Sequence, residues 1–369
     1  VGQGCFYAGK IQHENQQFVL VYDCGSVSAK KYLNDSITEF RKEFSHIDLL
    51  IVSHLDSDHV NGVKDLIKGI VVKNIFLPYL QLIERLALAI SKPSIDQDYI
   101  DFLNNPISYL QSSSFNVKEI YYMNPASDSY SEDRESNEPI RSNPEDTGEF
   151  ILRGFNTDEK FKSSAILDDE RLEDNSSLNF LSLNTTLFLA RNFWEFVFYH
   201  RKVTSNKAIK DFQKEVEKYM KINSITKLHD LFNGHLKYIK PLYTKELKLS
   251  MNKTSICLYH GPLFKSYTRG NIRTSSMWYG KWWYLHRRRV NKFGTLLTGD
   301  QELKTKKDFN SFISYFQNKL KHVEIFQVPH HGSNANWNKM PNKLSNHDIG
   351  CYIINHGFGS KYHPNINVL

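Results

Sequence analysis

His54, Asp56, Asp58 and His59 fall within one stretch, Ser53-His54-Leu55-Asp56-Ser57-Asp58-His59-Val60-Asn61-Gly62. Imidazole nitrogens and carboxylate oxygens are the donors that divalent cations such as zinc and manganese take from proteins. The stretch follows Ile47–Val52, an apolar run interrupted by Asp48 that reads as a buried strand. On extended backbone His54 and Asp56 share a side, because side chains alternate with period two. A turn into a helix over Gly62–Lys68 would bring Asp58 and His59 in from another direction, dividing the ligands between two cations. A helix cap accounts for Asp58 alone. It does not account for two histidines and a second aspartate at the mouth of an apolar strand.

Two later segments carry matching chemistry. Leu296-Leu297-Thr298-Gly299-Asp300 places a carboxylate after an apolar strand and a Thr-Gly turn. Such a rigid support lets a carboxylate approach closely, as one shared between two cations must. Pro329-His330-His331-Gly332-Ser333 offers two imidazoles, and adjacent side chains on extended backbone point oppositely. Alternation leaves direct ligation to one of the pair without deciding which, and His331 is favoured. His330 is expected to orient substrate or to be a packed histidine. Asp56, Asp58 and Asp300 make the set rich in carboxylate, so manganese is a rival to zinc, the first expectation. No Gly-x-Ser-x-Gly nucleophile motif occurs in the chain.

His54-x-Asp56-x-Asp58-His59 resembles the signature of the metallo-β-lactamase superfamily, in the version with Asp at the second position. Val1-Gly2-Gln3-Gly4 resembles its opening strand turn, and Asp23 in Tyr22-Asp23-Cys24-Gly25 its supporting aspartate. Asp300 is similar to its metal-bridging aspartate. Pro329-His330-His331-Gly332-Ser333 and Tyr362-His363-Pro364 resemble the branch typified by the hydrolase domain of the DNA-uptake protein ComEC. The resemblance implies an αββα sandwich holding two divalent ions. His54 and Asp56 would hold one, Asp58, His59 and His331 the other, with Asp300 between them. Hydrolysis by metal-bound hydroxide would follow, with Asp58, Asp300, His330 and His363 in catalytic roles and His363 handling substrate or a proton. The chain departs from the branch at Cys5, where Asp is common, and in the longer link between Tyr259 and Gly294. At Asn252 many superfamily members place a further His, although the ComEC-like branch resembles this chain there.

Charge points to a partner. Of 369 residues, 47 are basic and 40 acidic, for a net charge of +7. Lys265–Lys292 holds eight of the basic residues and no acid, which accounts for the whole surplus. Lys281, Arg287, Arg288 and Arg289 alternate there with Trp282, Trp283 and other aromatics. Cations for phosphates and rings for bases suit a nucleic-acid strand. A hairpin whose aromatics cover a neighbour would have the same composition. Phosphodiester hydrolysis of DNA or RNA is the leading expectation. The alternatives are a small-molecule hydrolase acting on a phosphoester, lactone or thioester, and a scaffold or sensor that keeps metal without turnover.

The elements that must position these groups alternate as in an α/β layered domain. Strands are expected at Gln17–Tyr22, Ile47–Ser53, Lys73–Leu77, Ser255–Tyr259, Gly294–Thr298, Val323–Val328 and Cys351–Ile354. Leu178–His200 reads as two strands, and Lys30–Phe44, Lys207–Met220 and Glu302–Leu320 as helices. The whole chain is expected to be one domain, with 80–250 a helical or irregular insertion that could meet a protein partner. Asn124–Glu149 within it is expected to be a mobile acidic loop, and 265–292 a basic aromatic insertion. No apolar run approaches the ~18 residues of a membrane span. Cys5, Cys24, Cys257 and Cys351 form no CxxC pair, which fits a reducing compartment such as the cytoplasm. A start at Val1 rather than Met is expected of a fragment.

Overall fold

The computed structural model describes residues 4–13, 15–28, 30–91, 96–125, 150–182, 185–189, 194–201, 207–244, 247, 255–263, 270–278, 281–290, 292–334, 336–337, 344, 347, 349–356 and 364. The chain forms β1 (Tyr7–His13), β2 (Gln16–Tyr22), β3 (His46–Ile51), β4 (Val71–Pro78) and β5 (Asn116–Met123). Then come β6 (Leu152–Arg153), β7 (Leu178–Leu181), β8 (Thr186–Leu189), β9 (Trp194–His200) and β10 (Ile256–Pro262). The last strands are β11 (Gly270–Trp278), β12 (Lys281–Val290), β13 (Gly294–Leu297), β14 (Val323–Gln327) and β15 (Cys351–Ile353).

Two mixed sheets result, one ordered β1-β2-β3-β4-β5-β7 and the other β15-β14-β13-β10-β9-β8-β6. They face each other across a core in which Leu20, Leu49, Ile51 and Phe76 of the first meet Phe196, Phe198, Ile256 and Leu258 of the second. The outer face of the first sheet (Val19, Val21, Leu50, Ile75) packs on helices, among them Lys30–Glu43 and Leu82–Ser91. Helix Lys306–Leu320 covers the outer face of the second sheet, where Tyr199, Tyr259 and Phe326 lie. The order is thus helix, sheet, sheet, helix.

Periodicity explains the outer layers. In Lys30–Glu43 the buried residues Leu33, Ile37 and Phe40 recur at helical spacing and leave a polar face to solvent. In Lys306–Leu320 the stripe is Phe309, Phe312, Phe316 and Leu320. That helix starts at a reciprocal cap in which Thr305 accepts from the Asp308 N–H and donates to its carboxylate. The cap sets the start later than the expected Glu302.

Residues 80–250, expected as a helical or irregular insertion with two strands over Leu178–His200, also supply strands to both sheets. Strands β5, β7, β8 and β9 lie in this stretch and belong to the two sheets. β5 is obscured because its first half, Asn116-Val117-Lys118-Glu119, is polar while its second half is buried. Most of the acidic stretch, 126–149, lies outside the described residues. The basic segment forms an antiparallel hairpin, β11 with β12, pairing Met277 with Trp282, Ser276 with Trp283 and Asn271 with Arg289. Among the described residues no helix is long and apolar enough to cross a membrane.

Candidate metal centre

The first sheet runs β2, β3 and β4 in parallel, and the second runs β13, β14 and β15 in parallel. The residues singled out by chemistry follow the carboxyl ends of these strands: Asp23 after β2, His54 after β3, Asp300 after β13, and His330 and His331 after β14. Backbone bonds tie the two sheets together there, with Ile256 N–H donating to the Ser53 carbonyl at 2.8 Å. Tyr22 Oη also donates to the Ile256 carbonyl, at 2.7 Å. Chain ends of parallel strands are where open α/β sheets form ligand sites.

Asp58, His59, Asp300 and His331 converge, with one ligand atom from each lying within 4.8 Å of the others. His59 Nε2 is 3.3 Å from Asp300 Oδ1 and 3.9 Å from Asp58 Oδ2. His331 Nε2 is 3.4 Å from Asp58 Oδ2 and 3.8 Å from Asp300 Oδ1. Donors about 2.0–2.2 Å from a tetrahedral cation stand roughly 3.3–3.6 Å apart; two of these pairs match that spacing and two are slightly wider, so a small inward shift would seat one ion. His59 Nε2 and Asp300 Oδ1 are buried and have no hydrogen-bond partner among the described residues. Buried polar atoms are rarely left so, and a cation would satisfy both. This buried cluster can hold a metal ion.

The other carboxylate oxygen of Asp300 faces two more imidazoles. His54 Nε2 and His330 Nε2 each lie 3.6 Å from Asp300 Oδ2. His54 Nε2 is also buried without a hydrogen-bond partner. His331, the expected ligand of the pair, is among the four converging groups and His330 is not, but the extended backbone on which that expectation rested is not what the chain adopts. Both residues are left-handed, with φ of 48° and 55°, so both rings turn toward Asp300. Such φ values are uncommon outside glycine and collect at functional sites.

Neighbouring groups set which nitrogen each ring presents. Asp23 Oδ2 is 2.8 Å from His59 Nδ1, and the same carboxylate accepts from Ser53 N–H and Ser53 Oγ. The Asn355 carbonyl is 2.7 Å from His331 Nδ1, and Ser53 Oγ is 2.9 Å from His54 Nδ1. All three rings therefore turn Nε2 inward, the arrangement that metal-binding histidines need. Asp23 itself has φ of 57°. Gly25 is required beside it, since a Cβ there would come within 2.5 Å of the Asp58 carbonyl.

Electrostatics favour positive charge at this point. Burial disfavours the charged His59 ring, yet Asp23 and Asp300 together raise its pKa well above the ordinary value. Burial would raise the Asp300 carboxyl, but His330, His59, His331 and His54 hold it well below its ordinary value. Burial and the neighbouring His59 lower the His54 pKa. Carboxylates able to hold a proton on buried His59 would equally favour a cation.

Asp56 is not among the four converging groups. It stands at the N-terminus of the short helix Ser57–Val60, and its side chain caps no N–H of that helix. Asn252, His363 and Val1–Gln3 lie outside the described residues. Of the hairpin residues Lys281, Trp282, Trp283, Arg287, Arg288 and Arg289, only the strand and its register are described.

Sequence reasoning missed Ser53, Ser255, Asn336 and Asn355. Ser255 Oγ accepts from Asp300 N–H at 3.0 Å, and Asn336 Nδ2 donates to the Asp300 carbonyl at 3.0 Å. Ser53 directly precedes His54 and was within reach of inspection. The others carry no local signal, because serine and asparagine are common in loops. Comparison with protein-family models finds no match to this chain, and comparison with curated proteins finds none either.

Proposed function

We propose that the chain is a metal-dependent hydrolase of metallo-β-lactamase-like fold, cleaving phosphodiester bonds in DNA or RNA. One observation carries the reading. The buried Asp300 carboxylate has Oδ1 toward His59 and His331 and Oδ2 toward His54 and His330, as a carboxylate shared by two cations would. The helix–sheet–sheet–helix order supports the fold assignment. Two divalent ions in this centre, zinc or the rival manganese, would bring a water's pKa from ~15.7 toward ~7 and polarise a phosphoryl oxygen.

The chain's own residues do the positioning. Asp58, His59, Asp300 and His331 would hold one ion, and His54 with the far oxygen of Asp300 would help hold a second. Asp23, Ser53 and Asn355 keep the imidazoles turned inward. His330, at 18% side-chain exposure, is more open than His54 at 11%, His331 at 3% or His59 at 0%. It is therefore the ring placed to meet an arriving substrate. The β11–β12 hairpin supports a nucleic-acid substrate through its interleaved cations and aromatics.

The test is cleavage of single- and double-stranded DNA and RNA with manganese or zinc, for wild type and Asp300→Ala. Metal-dependent cleavage lost in Asp300→Ala is expected. Cleavage by neither metal, or equal cleavage by the variant, removes the nuclease reading. Turnover of small phosphoesters, lactones or thioesters without nucleic-acid cleavage would favour a small-molecule hydrolase. Metal bound with no turnover at all would favour a scaffold or sensor. Charge reversal of Arg287, Arg288 and Arg289 should weaken binding and flatten its salt dependence.

A further inference from the structure

Gln327 ends β14, two residues before Pro329, and is 4% exposed. Its side-chain oxygen accepts from the backbone N–H of Thr298 at 2.9 Å and of Gly299 at 3.2 Å. Its backbone carbonyl accepts from Thr298 Oγ1 at 2.8 Å. Gly299, with φ of 52°, is the turn that delivers Asp300. One side chain thus satisfies two buried N–H groups that no strand pairs.

The amide nitrogen of Gln327 reaches the other way, donating to Cys5 Sγ at 3.3 Å. Asn355 Nδ2 donates to the same sulfur at 3.4 Å, while the Asn355 carbonyl meets His331 Nδ1 at 2.7 Å. Cys5 is buried and free, and burial pushes its thiol pKa well up, so it stays a neutral acceptor. A continuous chain of hydrogen bonds therefore links the Asp300 turn, Gln327, Cys5, Asn355 and His331. Its two ends are groups that face the same cation position.

We propose that Gln327 is a positioning residue of the metal centre, setting the Asp300 turn and, through Cys5 and Asn355, the His331 ring. The proposal rests on the metal-centre reading above and assigns Gln327 no contact with substrate. Its side chain holds two ligands from different strands in register, so its loss should loosen the cation rather than the sandwich.

Manganese and zinc affinities of the purified chain, measured by calorimetry, test this against thermal unfolding in chelator. Gln327→Met, which keeps bulk and removes every side-chain hydrogen bond, should lower affinity about 10–100-fold. Gln327→Glu keeps acceptors for Thr298 and Gly299 but cannot donate to Cys5, so a smaller loss is expected. In an Asp300→Asn background, Gln327→Met should have little further effect, as coupled positions require. A purely structural role would instead lower the chelated unfolding temperature and leave affinity and the coupling untouched, which overturns the proposal. If Gln327→Met does not fold, unchanged affinity in Gln327→Glu overturns it, and weakened affinity supports it. A wild type that binds manganese but cuts no nucleic acid removes the nuclease reading, with the affinities still deciding Gln327. A wild type binding neither cation overturns both.

Discussion

Asp23 Oδ2 lies 2.8 Å from His59 Nδ1, and both side chains are wholly shielded from solvent. The pair joins the exit of β2 to the short helix after β3, so the ring's orientation is set by a neighbouring strand. Asp23→Asn should keep the fold and lower metal affinity about 10–100-fold. Titration with zinc or manganese would check this, and an unchanged affinity would remove Asp23 from the centre.

Gly25 should tolerate no side chain. Overpacking of this kind destabilises by roughly 1–3 kcal/mol, and the clash falls on the backbone of Asp58 and His59. Gly25→Ala should therefore lose both stability and metal affinity. Gly234→Ala is the control: its φ is 86° but no atom lies within 4 Å of the added Cβ. Strain of about 1–2 kcal/mol is expected there, with affinity intact. Equal affinity in the two variants would contradict the placement.

Two buried histidines away from the candidate metal centre predict an acid limb. Burial lowers the His200 pKa to about 4 and the His260 pKa to about 3. In the unfolded chain each titrates near ~6.5. Between those values the unfolded state binds more protons than the folded one, so stability falls as pH drops below ~6.5. Each site contributes at most about 1.4 kcal/mol per pH unit across that window. Denaturant unfolding in chelator from pH 7 to 4.5 should give a shallower acid limb for His260→Phe than for wild type. Parallel limbs would show that His260 does not titrate on unfolding.

Arg85 and Asp169 form a buried ion pair, Nη2 to Oδ2 at 2.6 Å, with both side chains 2% exposed. Arg171 reaches the same carboxylate, and Arg85 also donates to the carbonyls of Leu103 and Asn104. Removing one partner leaves a buried charge uncompensated, at a cost of about 3–5 kcal/mol. Asp169→Asn should shift the denaturant midpoint accordingly. Asp169→Leu combined with Arg85→Met should recover much of the loss, and a double variant as weak as Asp169→Asn would refute the ion-pair account.

The sequence by itself offered the candidate donors. Imidazoles and carboxylates are among the few side chains that ligate divalent cations, so His54, Asp56, Asp58, His59, Asp300 and the His330-His331 pair stand out by type. Strand β3 was equally legible, because a strand buried on both faces reads as an apolar run. Lys30–Glu43 was legible through its periodicity. Only the tertiary structure decided which donors meet. Asp56 stands outside the four that converge although it lies within the densest motif: it is the extended residue before the helix Ser57–Val60, whereas Asp58 and His59 lie on that helix. His330 and His331 both face Asp300 because each adopts a left-handed backbone, which their neighbours in sequence do not announce. Ser255, Gln327 and Asn355 were silent for a related reason. Their roles are hydrogen bonds to backbone groups, a ring nitrogen or the Cys5 sulfur, which any polar residue can make, and only the meeting of distant strand ends selects them.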